Sequence, residues 1–109
     1  LVLEKKRFGD RQVEITFPFD HVHDSDRTCV LMDDIISTAQ TMIKTLQQLQ
    51  HKNHTPICLG VHAVFAGQAY QELLETGARV VTCNTIHHIS NEIDLSSLLV
   101  ESLQKMLTQ

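Results

Sequence analysis

Apolar residues are spaced along this chain in two alternating ways, and the alternation predicts its elements. Val13, Ile15 and Phe17 alternate with Glu14 and Thr16 until Pro18, the pattern of a half-buried strand. A continuous run from Thr28 to Met32 reads as a buried strand, followed by the acidic pair Asp33-Asp34 and the small hydroxyl residues Ser37 and Thr38. From about Gln40 to Gln50 the spacing turns helical, with Met42, Ile43, Leu46 and Leu49 on one face and Lys44, Gln47 and Gln48 on the other. A second buried run, Ile57 to Phe65, precedes a helix over Gln68 to Thr76 that Gly67 opens and Gly77 ends, with Ala69, Tyr70, Leu73 and Leu74 inward. Val80 to Cys83 is a further strand, and Leu95, Leu98, Leu99, Leu103, Met106 and Leu107 mark a last amphipathic helix. Strand, helix and strand in this order make right-handed parallel units. The fold class is therefore α/β, one mainly parallel sheet flanked by helices, with the Val13 to Phe17 strand at an edge or differently oriented.

The junction around Asp33 to Thr41 carries the most chemistry. The first backbone N–H groups of a helix have no partner within it, and the helix dipole leaves partial positive charge there, so such a loop suits a phosphate. Ser37, Thr38 and Thr41 add hydroxyl donors, and Asp33 and Asp34 offer acceptors for a diol or a hydrated metal ion. The ligand implied is a sugar phosphate. Ser and Thr also cap helices, and an acidic pair can be a solvated loop end, so both readings stand on these residues alone.

Composition narrows the classes. The 109 residues make one domain at most, and a net charge of −4 argues against a nucleic acid-backbone binder, which needs a basic face. Neither a membrane-spanning apolar run nor a secretion signal at the start is expected. Cys29, Cys58 and Cys83 form no Cys-x-x-Cys pair and read as small buried hydrophobes in strands, in a reducing cytoplasm. The connection Asp20 to Asp26, with His21 and His23, has none of the recognised metal-ligand spacings and reads as solvated. The charged segment Glu4 to Arg11 reads as a loop. His62 stands in or at the end of the second buried run, and Asn84 and Thr85 end a strand on the same side of the sheet as the acidic pair, where open α/β sheets bind ligands.

Four stretches, in order and spacing, resemble a known family. Asp33-Asp34-Ile35-Ile36-Ser37-Thr38-Ala39-Gln40-Thr41 is similar to the ribose-phosphate loop of type I phosphoribosyltransferase folds, above all that of the ribose-phosphate pyrophosphokinases, or PRPP synthetases. Glu4-Lys5-Lys6-Arg7-Phe8-Gly9-Asp10-Arg11-Gln12-Val13-Glu14-Ile15 resembles their catalytic flexible loop and the strand after it. Val61-His62-Ala63-Val64-Phe65-Ala66-Gly67 and Val81-Thr82-Cys83-Asn84-Thr85-Ile86 resemble two further segments of theirs.

The resemblance implies a single C-terminal phosphoribosyltransferase-like domain over residues 1–109, with 1–12 a remnant of the flexible loop. It implies transfer of the diphosphoryl group of ATP to the 1-hydroxyl of ribose 5-phosphate, with Mg²⁺ brought by ATP, giving PRPP and AMP. Lys5 and Arg7 would be the cations that stabilise the transferring phosphoryl groups. Asp33 and Asp34 would hold the ribose hydroxyls, and Ser37, Thr38, Ala39, Gln40 and Thr41 the 5-phosphate. Gln40 departs from the pattern, because the family usually has Gly there; were φ positive at this position, a side chain would be unfavourable. The family's N-terminal half is not in this chain, so the chain alone is expected to bind ribose 5-phosphate and not to make PRPP. A homo-oligomer is implied as well. Two alternatives stay open: a catalytically silent, synthetase-associated regulatory subunit, and a phosphoribosyltransferase that consumes PRPP.

Overall fold

In the computed structural model, residues 4–8, 12–16, 28–49 and 54–109 are described. The Asp20 to Asp26 connection and Phe17 lie outside them. A two-stranded antiparallel ribbon pairs β1 (Glu4–Phe8) with β2 (Gln12–Thr16), Lys5 standing opposite Ile15 and Arg7 opposite Val13. The alternation around Val13 thus does form a strand, outside the parallel sheet. Part of the segment read as a loop is strand too, because β1 finds its hydrogen-bond partners in β2.

The main sheet has four parallel strands in the order β3 (Val30–Ile36), β4 (Ile57–Ala63), β5 (Arg79–Cys83) and β6 (Asn91–Ile93). Between them lie α1 (Gln40–Leu49), which connects β3 to β4, and α2 (Ala69–Glu75), which connects β4 to β5; α3 (Ser96–Leu107) follows β6. All four strands run the same way, so their C-terminal ends form one rim. This is the α/β architecture expected, with a parallel sheet built from strand, helix and strand units.

One core joins α1 and α2 to the sheet. Met42, Ile43 and Leu46 of α1 meet Ala69 and Leu73 of α2 over Ile36, Cys58 and Val80. The helical spacing read in the sequence thus locates the inward face of α1. On α2, Ala69 and Leu73 are buried, whereas Leu74, expected to face inward, is 40% exposed. Gly77 ends this helix at φ 89°, a left-handed conformation that costs glycine little. Gly60 in β4 allows a close approach: a Cβ there would stand 2.5 Å from Ile36 Cδ1, and Ile36 is itself almost wholly buried.

Two expectations about burial fail. The run from Thr28 to Met32 reads as a buried strand, but β3 is an edge strand among the described residues, and Met32 is 75% exposed. A run of apolar residues reports that burial is wanted without saying what supplies it. The second failure is α3, which has no buried residue at all, although its apolar residues keep helical spacing. The short strand β6 was not anticipated, because Asn91-Glu92-Ile93 carries too little pattern to mark one. Cys58 and Cys83 are buried in β4 and β5 as expected, and Cys29 is half-buried just before β3. Burial pushes the Cys58 thiol up to about 11, with the neighbouring Cys29 adding to the shift, so it is a thiol at neutral pH.

Candidate functional site

Strand β3 runs on to Ile36, so Asp33 and Asp34 lie within the strand and not in the loop after it. Both side chains are exposed at the sheet edge, and each accepts a hydrogen bond from the next residue's backbone: Asp34 N–H donates to Asp33 Oδ1 at 2.8 Å, and Ile35 N–H to Asp34 Oδ1 at 2.9 Å. The Asp34 carboxyl is held below its ordinary range, chiefly by hydrogen bonding with the Asp33 side chain and then by the Ile35 N–H. A positive charge on His62 would act in the same direction, as the smallest of these causes. Asp34 is therefore a charged acceptor at neutral pH.

The chain leaves the strand through Ser37 and Thr38 and enters α1 at Ala39, whose carbonyl accepts the first helical hydrogen bond, from Ile43 N–H at 2.9 Å. The backbone N–H groups of Gln40, Thr41 and Met42 are thereby those without an intrahelical acceptor. A cavity of about 110 Å³ opens here, lined by Asp33, Ile35, Ile36, Ser37, Thr38, Ala39, Gln40, Thr41 and Met42. The strand end, the loop and the helix start thus line one hollow. Asp34 is beside this hollow without lining it. Lys5 and Arg7 lie on β1, in the separate ribbon.

The conformational strain expected at Gln40 is one residue earlier. Ala39 has φ 61°, while Gln40 is already helical and its side-chain amide reaches back toward the Thr38 carbonyl at 3.5 Å. A left-handed residue between strand and helix turns the chain sharply enough to aim successive N–H groups into one concavity. Gln40 is therefore compatible with the backbone, and what it affects is the space at the loop's mouth.

The loop is braced from a distance in sequence. Phe65 N–H donates to the Ile36 carbonyl at 2.9 Å, and Ala66 N–H to the Ser37 carbonyl at 3.0 Å, so the segment after β4 holds the start of the hydroxyl loop. Phe65 is itself in the left-handed region, at φ 27°. Phe65 also packs on Tyr70 and His88, with ring centroids 5.2 and 4.5 Å away. The bracing depends on β3 and β4 being neighbours, and nothing in residues 64–66 by themselves signals it.

Farther along the rim, His62 Nδ1 lies 2.7 Å from Thr85 Oγ1, whose hydroxyl donates to the Val61 carbonyl at 3.2 Å. Asn84 serves a structural end: its Nδ2 donates to Asp94 at 3.0 Å and its Oδ1 accepts from Leu95 N–H, fastening β5 to the start of α3. Beneath the rim, Asn91 donates to Thr82 Oγ1, which lies 2.8 Å from Ser90 Oγ, and Ser90 Oγ lies 2.7 Å from His88 Nδ1. With Thr82 and Ser90 almost wholly buried, this network satisfies polar groups that burial would otherwise penalise. No cluster of three metal-ligating side chains occurs among the described residues.

A parallel sheet with a strand, hydroxyl loop and helix start at its carboxyl rim is the arrangement of a phosphoribosyltransferase-type domain. The phosphoribosyl transferase domain family matches residues 12–98, and the chain belongs to that family. Within it, similar proteins are ribose-phosphate pyrophosphokinases. That of Wolinella succinogenes is 38% identical over 89 residues, which are 79% of this chain and 28% of that protein. That of Sulfurisphaera tokodaii is 39% identical over 64 residues, 57% of this chain and 22% of its own length. That of Thermoplasma volcanium is 29% identical over 94 residues, 85% of this chain and 32% of its own. The chain thus spans less than a third of the length of these relatives.

Proposed function

We propose that this chain is the ribose 5-phosphate-binding part of a ribose-phosphate diphosphokinase, in which the diphosphoryl group of ATP passes to the 1-hydroxyl of ribose 5-phosphate to give PRPP and AMP. The observation that carries this reading is the hollow lined by the end of β3, the hydroxyl loop and the first residues of α1, with Asp34 beside it. The likeness to ribose-phosphate pyrophosphokinases supports the choice among phosphoribosyl ligands. Ser37, Thr38, Ala39, Gln40 and Thr41 hold the 5-phosphate through hydroxyl and backbone N–H donors, contacts strengthened by the ligand's charge. Asp33 and Asp34 accept from the ribose hydroxyls. Two exposed carboxylates also suit Mg²⁺, which usually takes one or two carboxylates and completes its shell with water and substrate phosphates, and the ion would neutralise charge on those phosphates.

Lys5 and Arg7 are the cations that meet the transferring phosphoryl groups once ATP is present. The chain alone binds the sugar phosphate weakly and makes no PRPP, since the rest of an ATP site is not among its residues. Its exposed apolar helix α3 favours a homo-oligomer, and its three free thiols accord with a reducing cytoplasm. Calorimetric titration with ribose 5-phosphate tests the proposal: Asp34→Ala and Thr41→Ala should each weaken binding with little change in the fold. No heat at millimolar ligand would overturn it, and the regulatory-subunit reading would then lead.

A further inference from the structure

The acidic pair and the hydroxyl loop are both on the β3 segment, and a ligand that reaches from one to the other must pass the level between them. Asp34 to Ser37 is three residues of strand, about 10 Å at the usual rise. At that level the neighbouring strand β4 presents His62, which stands opposite Ile35 in the parallel register. His62 is half-buried at the rim end of β4.

Which ring nitrogen is engaged follows from the hydrogens available. The Val61 carbonyl can only accept, so the single proton of the Thr85 hydroxyl is used on it. The 2.7 Å contact between Thr85 Oγ1 and His62 Nδ1 then needs a proton from the ring, and Nδ1 is the donor. In the neutral imidazole this leaves Nε2 with a lone pair and no proton. Thr85 thereby fixes both the tautomer and the rotation of the ring.

We propose that His62 is a further contact for the sugar: its Nε2, kept as an acceptor by Thr85, takes a hydrogen bond from a hydroxyl of the ribose whose phosphate sits in the loop at Ser37 to Thr41. Thr85 is the positioning residue of this pair. The inference rests on the sugar-phosphate reading of the site and deepens it, adding a third acceptor from a second strand to the two carboxylates of β3. Its chemistry differs from theirs, because a neutral imidazole nitrogen accepts from a hydroxyl without competing for a cation's charge.

Nitrogen-15 NMR of the 109-residue chain tests it directly. Ribose 5-phosphate should shift the His62 Nε2 resonance, whereas inorganic phosphate, which fills only the loop, should leave it in place. His62→Asn keeps a donor near the position of Nδ1 for Thr85 and removes Nε2; it should weaken ribose 5-phosphate binding about three- to tenfold, the effect of one hydrogen bond, and leave phosphate binding unchanged. His62→Gln, which restores a polar group near the position of Nε2, should recover part of the loss. Thr85→Val should reduce the Nδ1-protonated tautomer in the His62 spectrum, and Thr85→Ser should preserve it. If His62→Asn binds ribose 5-phosphate as tightly as the wild type while Asp34→Ala and Thr41→Ala weaken it, His62 is no contact and the site reading stands. If none of the three changes binding, both fall.

Discussion

At the scale of single residues, two backbone details decide how this site tolerates change. Ala39 takes the left-handed conformation at the turn into α1, and Gln40 does not. Gln40→Gly should therefore relieve no strain and should cost up to about 1 kcal/mol in helix stability; a urea midpoint that rises would contradict this assignment. Gly60 makes the opposite case. The space for a Cβ is filled by Ile36, which is 1% exposed and cannot move aside freely. Gly60→Ala should destabilise the domain by about 1–3 kcal/mol through overpacking, read as a lower denaturant midpoint at unchanged slope. Ile36 is also the last residue of β3 before the hydroxyl loop, so the same variant should bind ribose 5-phosphate less well.

At the scale of elements, α3 is held to the sheet at its start and nowhere by a buried side chain. Asp94 Oδ1 accepts from Ser96 N–H at 2.8 Å and from Asn84 Nδ2 at 3.0 Å, and these bonds, with the Ser96 side chain's first among them, lower the Asp94 carboxyl below its ordinary 3.8. The sign follows from linkage: a depressed folded-state value means a stabilising contribution that is complete above the unfolded value and is lost as pH falls through the folded one. Amide protection factors in the first turn of α3 should fall below about pH 4, well before those of α1 respond. Asp94→Asn keeps an acceptor without the charge and should flatten that pH dependence; a dependence equal to the wild type's would remove Asp94 as the cause. The salt bridge between Arg79 and Glu92, at 2.7 Å, is exposed on both sides and adds little to this anchoring.

At the scale of the molecule, the apolar residues of α3 are exposed among the described residues. Leu99, Leu103 and Met106 follow one helical stripe and are 56%, 55% and 69% exposed. Covering a leucine side chain is worth about 1.5–3 kcal/mol, so a stripe of this length should draw copies of the chain together. Light scattering should show a mass above that of one chain at high concentration, and Leu99→Glu with Leu103→Glu should return it to the monomer. A monodisperse wild-type monomer would count against the homo-oligomer proposed above.

Sequence alone was enough for the elements whose residues carry their own periodicity. The inward face of α1, the end of α2 at Gly77, the parallel strands and the succession of strand, loop and helix around Asp33 to Thr41 all follow from local spacing, because helix and strand geometry repeat over a few residues. What local spacing could not contain is which strand neighbours which. That β3 is an edge among the described residues, that the acidic pair belongs to the strand, that residues 64–66 brace the hydroxyl loop and that His62 stands level with Ile35 are consequences of register between segments more than twenty residues apart. The same holds for α3, whose pattern announces a buried face while the described residues around it bury none of its side chains. Apolar spacing states which surface gains by leaving water, and only the packed chain decides whether something is there to cover it.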